Sequence, residues 1–153
     1  MLVYISILTL VSGGALTMLF SLGDQINTAR ADRLLSESAQ TTLERMLGDI
    51  RAADAVDTFG STLEVTPGTL SLTQGASTTA YTISGSAIVV SDDGNVIGPL
   101  TDDHISVDKL RFYRYDNGTT ELARVIMQLT ATVGDISVTR TFEAAATLRG
   151  SYE

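Results

Sequence analysis

Residues 1–57, MLVYISILTLVSGGALTMLFSLGDQINTARADRLLSESAQTTLERMLGDIRAADAVD, contain no proline and decide the fold of this chain. Residues 1–23 include no Asp, Glu, Lys or Arg, and the first such residue is Asp24. As an α-helix, residues 1–23 would extend over about 34 Å, and the hydrocarbon core of a bilayer is about 30 Å thick. The pattern therefore predicts a long N-terminal helix whose first half, residues 1–23, is transmembrane.

Two other interpretations of residues 1–23 are weaker. A cleaved secretory signal has a basic residue before its apolar run, and that run is about 7 to 15 residues long. Neither feature is present, and the small-x-small sequence Ala29-Arg30-Ala31 lies far beyond the apolar end. A buried soluble helix is also disfavoured, because the rest of the 153-residue chain would have to surround a helix that is apolar on every side.

Small residues recur within the apolar half. Four of them, spaced every fourth residue, share one stripe of the predicted helix: Thr9, Gly13, Thr17 and Ser21. Such stripes let helices approach closely in lipid, so they are candidates for helix packing in a membrane or filament. Chance remains an alternative, because Thr and Ser are abundant in the whole chain. The adjacent pair Gly13-Gly14 marks a candidate bend or melted turn.

Residues 24–57 continue the helix with an amphipathic pattern. After Ile26, apolar residues recur at helical spacings, while Arg and Glu occupy much of the other surface. Six of these apolar residues are expected to pack the helix onto a sheet: Leu35, Ala39, Leu43, Met46, Leu47 and Ile50. Both halves together predict one helix of roughly 55 residues, about 80 Å long.

Residues 58–153 have the composition of an antiparallel β-sheet domain, with short alternating runs of Thr, Ser and Val broken by Gly, Pro, Asn and Asp. Three hairpins are predicted. The first joins residues 62–65 to 69–72 through Pro67-Gly68, the second joins residues 80–83 to 87–90, and the third turns at Asn117-Gly118.

The last two predicted strands are long and alternate cleanly. In the first of them the apolar set is Ala123, Val125, Met127, Leu129, Ala131 and Val133. In the second it is Ile136, Val138, Phe142, Ala144, Ala146 and Leu148. This alternation predicts a meander with one covered face, and the available cover is the amphipathic helix. Arg140 interrupts the second set. Three explanations are open: Arg140 lies at the rim of the sheet, it pairs with an acidic residue, or the predicted strand register is wrong.

A long N-terminal helix, half lipid-compatible and half packed on a small antiparallel sheet, resembles the type IV pilin and type II secretion pseudopilin superfamily. Residues 1–8, MLVYISIL, look like the run that directly follows the processing motif of these proteins. Residues 110–149, from Leu-Arg-Phe to Thr-Leu-Arg, are most similar to the larger minor pseudopilins and minor pilins. The resemblance implies an α+β, pilin-like fold.

The resemblance also implies a place of action and partners. It implies storage in the bacterial cytoplasmic membrane with the sheet domain outside the cytosol, followed by assembly into a pilus or pseudopilus. The implied partners are other pilins or pseudopilins through the N-terminal helix, membrane lipid before assembly, and an inner-membrane assembly platform driven by an ATPase.

The family's processing motif has no counterpart in this sequence. That motif is a basic leader ending in glycine, followed by an aromatic residue, Thr-Leu-Ile and glutamate. We expect this motif upstream of Met1, either because an internal methionine was taken as the start or because the chain is trimmed. The alternative is that the protein is not processed like its relatives. The helix also lacks the family's proline, and Gly13-Gly14 could supply the flexible point.

Composition excludes several kinds of chemistry. The chain has 18 acidic and 10 basic residues, a formal net charge of -8, no cysteine and a single histidine, His104. The negative charge disfavours nucleic acid as a partner, and without cysteine there is no disulfide, thiolate zinc site or cysteine nucleophile. We expect no cofactor, no bound metal and no enzymatic activity.

Four local features have a functional and a simpler interpretation. His104 beside Asp102-Asp103 could be a general base, but a solvated loop histidine is favoured. Asp92-Asp93 and Asp102-Asp103 could share calcium, although the first pair has the sequence of a turn. Asn117-Gly118-Thr119 matches a glycosylation acceptor that hairpin chemistry also explains. Tyr113 and Tyr115 line a partner surface or pack across strands.

The pattern as a whole predicts a non-enzymatic filament subunit of pilin type, minor rather than major. The alternative is a membrane-tethered extracytoplasmic binding domain that never polymerises. Which machine the chain serves, whether pilus, secretion system or DNA uptake, does not follow from the sequence.

Overall fold

The computed structural model describes the backbone of residues 2–152, and all their side chains except those of residues 2, 15–17, 19, 20, 151 and 152. A 51-residue helix, α1 (Leu2–Ala52), runs without interruption through Gly13 and Gly14, so the chain has no melted turn there. At about 1.5 Å per residue, α1 is about 77 Å long.

The helix ends earlier than the predicted boundary at residue 57. Ala53 still donates its N–H to the Asp49 carbonyl, at 2.9 Å, but Asp54 donates to Thr73 in the adjacent sheet. Residues 55 and 56 then form a short strand, so this end of the predicted helix is wrong. The sheet offers the backbone of residues 54–56 partners that replace the last helical turn.

The β-strands form two antiparallel sheets and not the single sheet predicted for residues 58–153, and the meander predicted for the last strands is the second of these sheets. The first sheet has five strands in chain order: β1 (Ala55–Val56), β2 (Leu70–Gln74), β3 (Ser77–Ser84), β4 (Ala87–Asp92) and β5 (Asn95–Pro99). The second sheet has three, also in chain order: β6 (Ile105–Asp116), β7 (Glu121–Val133) and β8 (Ile136–Thr147). A short 3-10 helix (Arg149–Tyr152) follows. The protein is therefore α+β, with a long N-terminal helix and antiparallel sheets.

Of the three predicted hairpins, the one between residues 80–83 and 87–90 is confirmed, with Ser84 opposite Ala87 and Gly85 at a φ of 64°. The Asn117-Gly118 dipeptide does connect two strands, β6 and β7, through a four-residue loop. In this loop the Asn117 side chain accepts hydrogen bonds from the N–H groups of Thr119 and Thr120.

The hairpin predicted around Pro67-Gly68 is wrong. Only one bridge, Thr62 to Thr69, joins its two sides. The intervening residues pair with β6 instead, because Glu64 and Gly68 donate their N–H groups to the carbonyls of Phe112 and Leu110, both at 2.8 Å. Residues 62–68 therefore cover one edge of the three-stranded sheet.

The core lies between α1 and the sheets, and α1 contacts mainly β7 and β8. The stripe predicted to face the sheet does so. Its buried residues are Leu35, Ala39, Met46 and Ile50, and its partly buried residues are Leu43 and Leu47. Ala31 and Thr42 are also buried on α1. Opposite the stripe, alternate residues of β7 are buried as predicted, namely Ala123, Val125, Met127, Leu129 and Ala131. Val133 is only partly buried.

Arg140 lies on the same sheet face as this core, in register with Leu129. The strand register was therefore predicted correctly. Arg140 is exposed, and its guanidinium donates to both carboxylate oxygens of Asp32 on α1, at 3.0 and 3.2 Å. Of the three explanations for Arg140, the acid pair at the rim of the sheet is the observed one.

A second polar contact ties α1 to the five-stranded sheet. Tyr81 on β3 is fully buried, and its hydroxyl donates a hydrogen bond to the Asp49 carboxylate, which also accepts from Arg45 at 3.0 Å. Burial and then the neighbouring Asp49 raise the pKa of Tyr81, because both disfavour the phenolate. This contact sets the position of α1 against β3.

Leu35→Ala tests whether the α1 stripe stabilises the domain. Removing a fully buried leucine side chain should lower the free energy of unfolding by about 2 to 5 kcal/mol, because it leaves a cavity against the sheet. Leu22→Ala, at a position that is 55% exposed, should change it little. Urea unfolding of both variants measures this, and equal losses would show that α1 does not depend on the stripe.

Tyr81 should make stability depend on alkaline pH. In the unfolded chain Tyr81 loses its proton near a pKa of about 10, whereas in the folded protein it keeps the proton to a higher pH. The contribution of the Tyr81 hydrogen bond to the free energy of unfolding is therefore complete below about pH 10 and falls as the pH rises further. Tyr81→Phe should lose about 1 kcal/mol at neutral pH. The wild-type advantage over Tyr81→Phe should shrink in urea unfolding from pH 9 to 11; an advantage that stays constant over that interval would contradict the contact.

Candidate functional site

The candidate functional site is the part of α1 that projects from the domain, residues 2–30, here called the N-terminal arm. Among the described side chains of α1, the first buried one is that of Ala31, and the arm is about 43 Å long at the rise of an α-helix. Tyr4 is 84% exposed. The other large apolar residues exposed on the arm are Val3, Ile5, Ile7, Leu8, Leu10, Val11, Met18, Leu22 and Ile26.

Two hydroxyls of the arm, those of Thr9 and Thr28, donate to backbone carbonyls of the preceding helical turn. The Thr9 hydroxyl lies 3.1 Å from the Ile5 carbonyl and 2.9 Å from the Ser6 carbonyl. Such bonds to the preceding turn let a hydroxyl leave water without losing its hydrogen bond. These hydroxyls therefore do not oppose placing the arm in apolar surroundings.

The predicted small-residue stripe lies along the arm. Thr9, Gly13 and Ser21 are exposed, and the side chain of Thr17 lies outside the described residues. A methyl group added at Gly13 or Gly14 would meet no described atom within 4 Å, the backbone of its own helix excepted. Packing within the described chain therefore does not require glycine at either position.

Charged side chains begin at Asp24, in the last part of the arm. Past Asp24, Arg33 and Glu37 form an exposed ion pair at 2.6 Å, and Glu37 raises the pKa of the Arg33 guanidinium through a hydrogen bond and its negative charge. The next pair, Asp32 with Arg140, joins helix and sheet. The arm is thus uncharged up to residue 23, and charged residues follow from Asp24 to the domain boundary.

Over the described residues, α1 contains no segment that meets the length and hydropathy needed to cross a bilayer. This finding does not support the single membrane span expected over residues 1–23.

The chain matches no protein-family model, no curated protein and no solved structure.

The other candidate residues lie in loops and turns. Asp93 accepts a hydrogen bond from the Thr78 N–H at 2.8 Å, and Asp102 accepts one from the His104 N–H at 3.2 Å. Asp102 and His104 line an open groove of about 400 Å³ against α1. The described part of the chain has no cluster of three His, Asp or Glu side chains that could hold a metal ion.

Tyr113 and Tyr115 lie on the sheet face that points away from α1. Their rings stack with centroids 6.5 Å apart, and the Arg124 guanidinium lies 5.8 Å from the Tyr113 centroid. Arg124 also pairs with Glu143 at 2.7 Å. Packing along and across the strands therefore accounts for both tyrosines.

Two contacts that join α1 to the sheets were not predicted from the sequence, Asp32 with Arg140 and Asp49 with Tyr81. In the sequence, Asp32 and Asp49 resemble the other polar residues on the exposed side of the predicted helix. The unexpected arginine at position 140, on an apolar strand face, was the one signal that pointed to such a partner.

Gly48→Ala and Gly13→Ala test whether the arm is independent of the domain. Both glycines lie inside α1 with room for a methyl group, but only Gly48 lies where α1 packs on the sheets. Gly48→Ala should raise the free energy of unfolding by about 0.5 to 1 kcal/mol. Gly13→Ala should leave domain unfolding unchanged in chemical denaturation. A loss of domain stability in Gly13→Ala would show that the arm contacts the domain.

Proposed function

We propose that this chain is a non-enzymatic, pilin-like structural subunit, of the minor pseudopilin or minor pilin kind, in a type IV pilus or type II secretion filament. The observation that carries the proposal is the N-terminal arm: a helix with ten exposed large apolar residues among its described side chains and no charged side chain before Asp24, continuous with a folded domain.

The physical argument is that the arm needs apolar surroundings. Each Å² of apolar surface left in water costs about 25 cal/mol, so an arm of this length is covered in the functional state. Lipid and a bundle of like helices are both apolar, and transfer from one to the other does not expose the arm to water. We infer that the cytoplasmic membrane holds the arm before assembly and that other pilins or pseudopilins hold it afterwards.

The domain is coupled to the arm through one helix. The same α1 that carries the arm packs in the core through Leu35, Met46 and Ile50. Movement of the arm out of the membrane would therefore move the domain with it. In this proposal the domain lies outside the cytosol, and an inner-membrane assembly platform supplies the work of extraction.

A single cysteine in the arm tests the helix packing, because the chain has no cysteine of its own. In bacteria that assemble the filament, Val11→Cys should give disulfide-linked products with other subunits carrying cysteine at the matching arm position. The matched control is Ser84→Cys, at the exposed end of β3 in the sheet domain, which should give far less product. Equal cross-linking of the two variants would contradict packing through the arm.

Membrane fractionation with alkaline carbonate tests the location before assembly. We expect the chain in the membrane pellet. A second observation is the DNA upstream of Met1, where we expect a leader that ends in glycine, followed by an aromatic residue, Thr-Leu-Ile and glutamate. Release of the intact chain as a monomer without detergent would contradict the proposal. A membrane-bound chain with neither leader nor arm cross-links would instead be the tethered binding domain.

A further inference from the structure

Phe59 is the most exposed large apolar residue among the described side chains, and it lies on the loop that follows β1. It is fully exposed, so no described residue of its own chain covers the ring. Outside the arm, the next most exposed large apolar residue is Val96, at 72%. Transfer of a phenyl ring out of water is favourable, so a fully solvated ring is a candidate contact for another molecule.

The backbone of the Phe59 loop is held against β2. Asp57 donates its N–H to the Ser71 carbonyl at 2.9 Å, and the Asp57 carboxylate accepts a hydrogen bond from the Phe59 N–H at 3.0 Å. The Ser71 N–H donates to the Ser61 hydroxyl, also at 2.9 Å. These bonds fix the loop on both sides of Phe59, so binding through the ring would cost little loop ordering.

A groove that can hold such a ring lies where the arm joins the domain. Its volume is about 320 Å³, and it is lined by Arg30, Arg33, Leu34, Glu37 and Val133. Leu34 and Val133 form apolar walls, and both are partly buried. Arg33 is paired with Glu37, whereas Arg30 forms no ion pair with any described residue. The groove therefore offers apolar contact and an unpaired guanidinium, and both attract an aromatic ring.

The loop and the groove carry opposite charges. Asp54 and Asp57 precede Phe59 in the chain, and neither carboxylate forms an ion pair with a described residue. Arg30 supplies the unpaired positive charge at the groove. Complementary charges beside an apolar contact steer the two surfaces together and fix their orientation.

The ring does not occupy the groove of its own chain. The Phe59 loop is joined through β1 to the C-terminal end of α1, whereas the groove lies beside the arm. The packed part of α1 between these points, from Ala31 to Ala52, is about 32 Å long. Full exposure of Phe59 confirms that the ring is outside the groove. A second copy of the chain supplies the same groove without this constraint.

We propose that two copies of this chain bind each other head to tail, with Phe59 of one copy in the groove of the other. The ring packs between Leu34 and Val133, and the Arg30 guanidinium lies against its face. Because the ring and the groove are different parts of the chain, each pair keeps one free ring and one free groove. Such a contact is heterologous and can repeat along a row of copies.

Sedimentation equilibrium of the full chain in detergent tests the contact. The unaltered chain should associate as its concentration rises, and Phe59→Ala should weaken association about 30-fold, as truncation of a central aromatic contact does. Because the Phe59 side chain is fully exposed, Phe59→Ala should fold as the unaltered chain does. The matched control is Tyr4→Ala, which removes an exposed aromatic residue of the arm and should leave association unchanged.

Arg30→Glu tests the groove. The new carboxylate repels Asp54 and Asp57 of the other copy and removes the cation from the face of the ring, so association should weaken as strongly as in Phe59→Ala. Lys109→Glu makes the same change of charge at another exposed position and should leave association unchanged.

A mixture of Phe59→Ala and Arg30→Glu identifies the occupant. The first variant keeps an intact groove and the second keeps an intact ring. At a concentration where each variant alone is monomeric, an equimolar mixture should therefore form a dimer and no larger species. A mixture that stays monomeric would overturn the head-to-tail contact.

Three results with single proteins would also overturn the contact. They are an unaltered chain that stays monomeric, a Phe59→Ala variant that associates as the unaltered chain does, and a Tyr4→Ala variant that loses as much association as Phe59→Ala. The arm cross-links of Val11→Cys do not enter these measurements, so this proposal and the proposed function can fail separately.

Discussion

Packing of one helix stripe on β7 and β8 supports the rest of the structure. Leu35, Ala39, Met46 and Ile50 are buried in the same core as the alternate residues of β7. Loss of water from these apolar side chains is the main favourable term that holds α1 on the sheet. Because the same helix continues beyond the core, this contact also determines the line along which the N-terminal arm leaves the domain.

Polar contacts refine this arrangement at both ends of the packed part of α1. Asp32 meets Arg140 where the arm begins, and Asp49 accepts from Tyr81 near the end of the helix. The first contact is exposed and contributes direction more than stability. The second is shielded by burial of Tyr81 and connects α1 to the five-stranded sheet.

The molecule presents two surfaces that its own described residues do not cover, and they differ in chemistry. The arm offers apolar side chains, which lipid or other helices cover without regard to direction. The Phe59 loop offers one aromatic ring beside acidic side chains, which only a groove of matching shape and charge covers.

Local patterns in the sequence determined the long helix, its core stripe, the alternation of β7 and the hairpin of β3 with β4, because periodicity and turn chemistry act between near neighbours. Tertiary structure alone decided the two-sheet division, the end of α1 at Ala52 and the pairing of residues 62–68 with β6. It also decided the partner of Arg140, 108 positions away in the chain, and the groove that Leu34 forms with Val133. These features depend on which distant backbone and side-chain groups meet, and no periodicity within a strand or helix encodes that meeting.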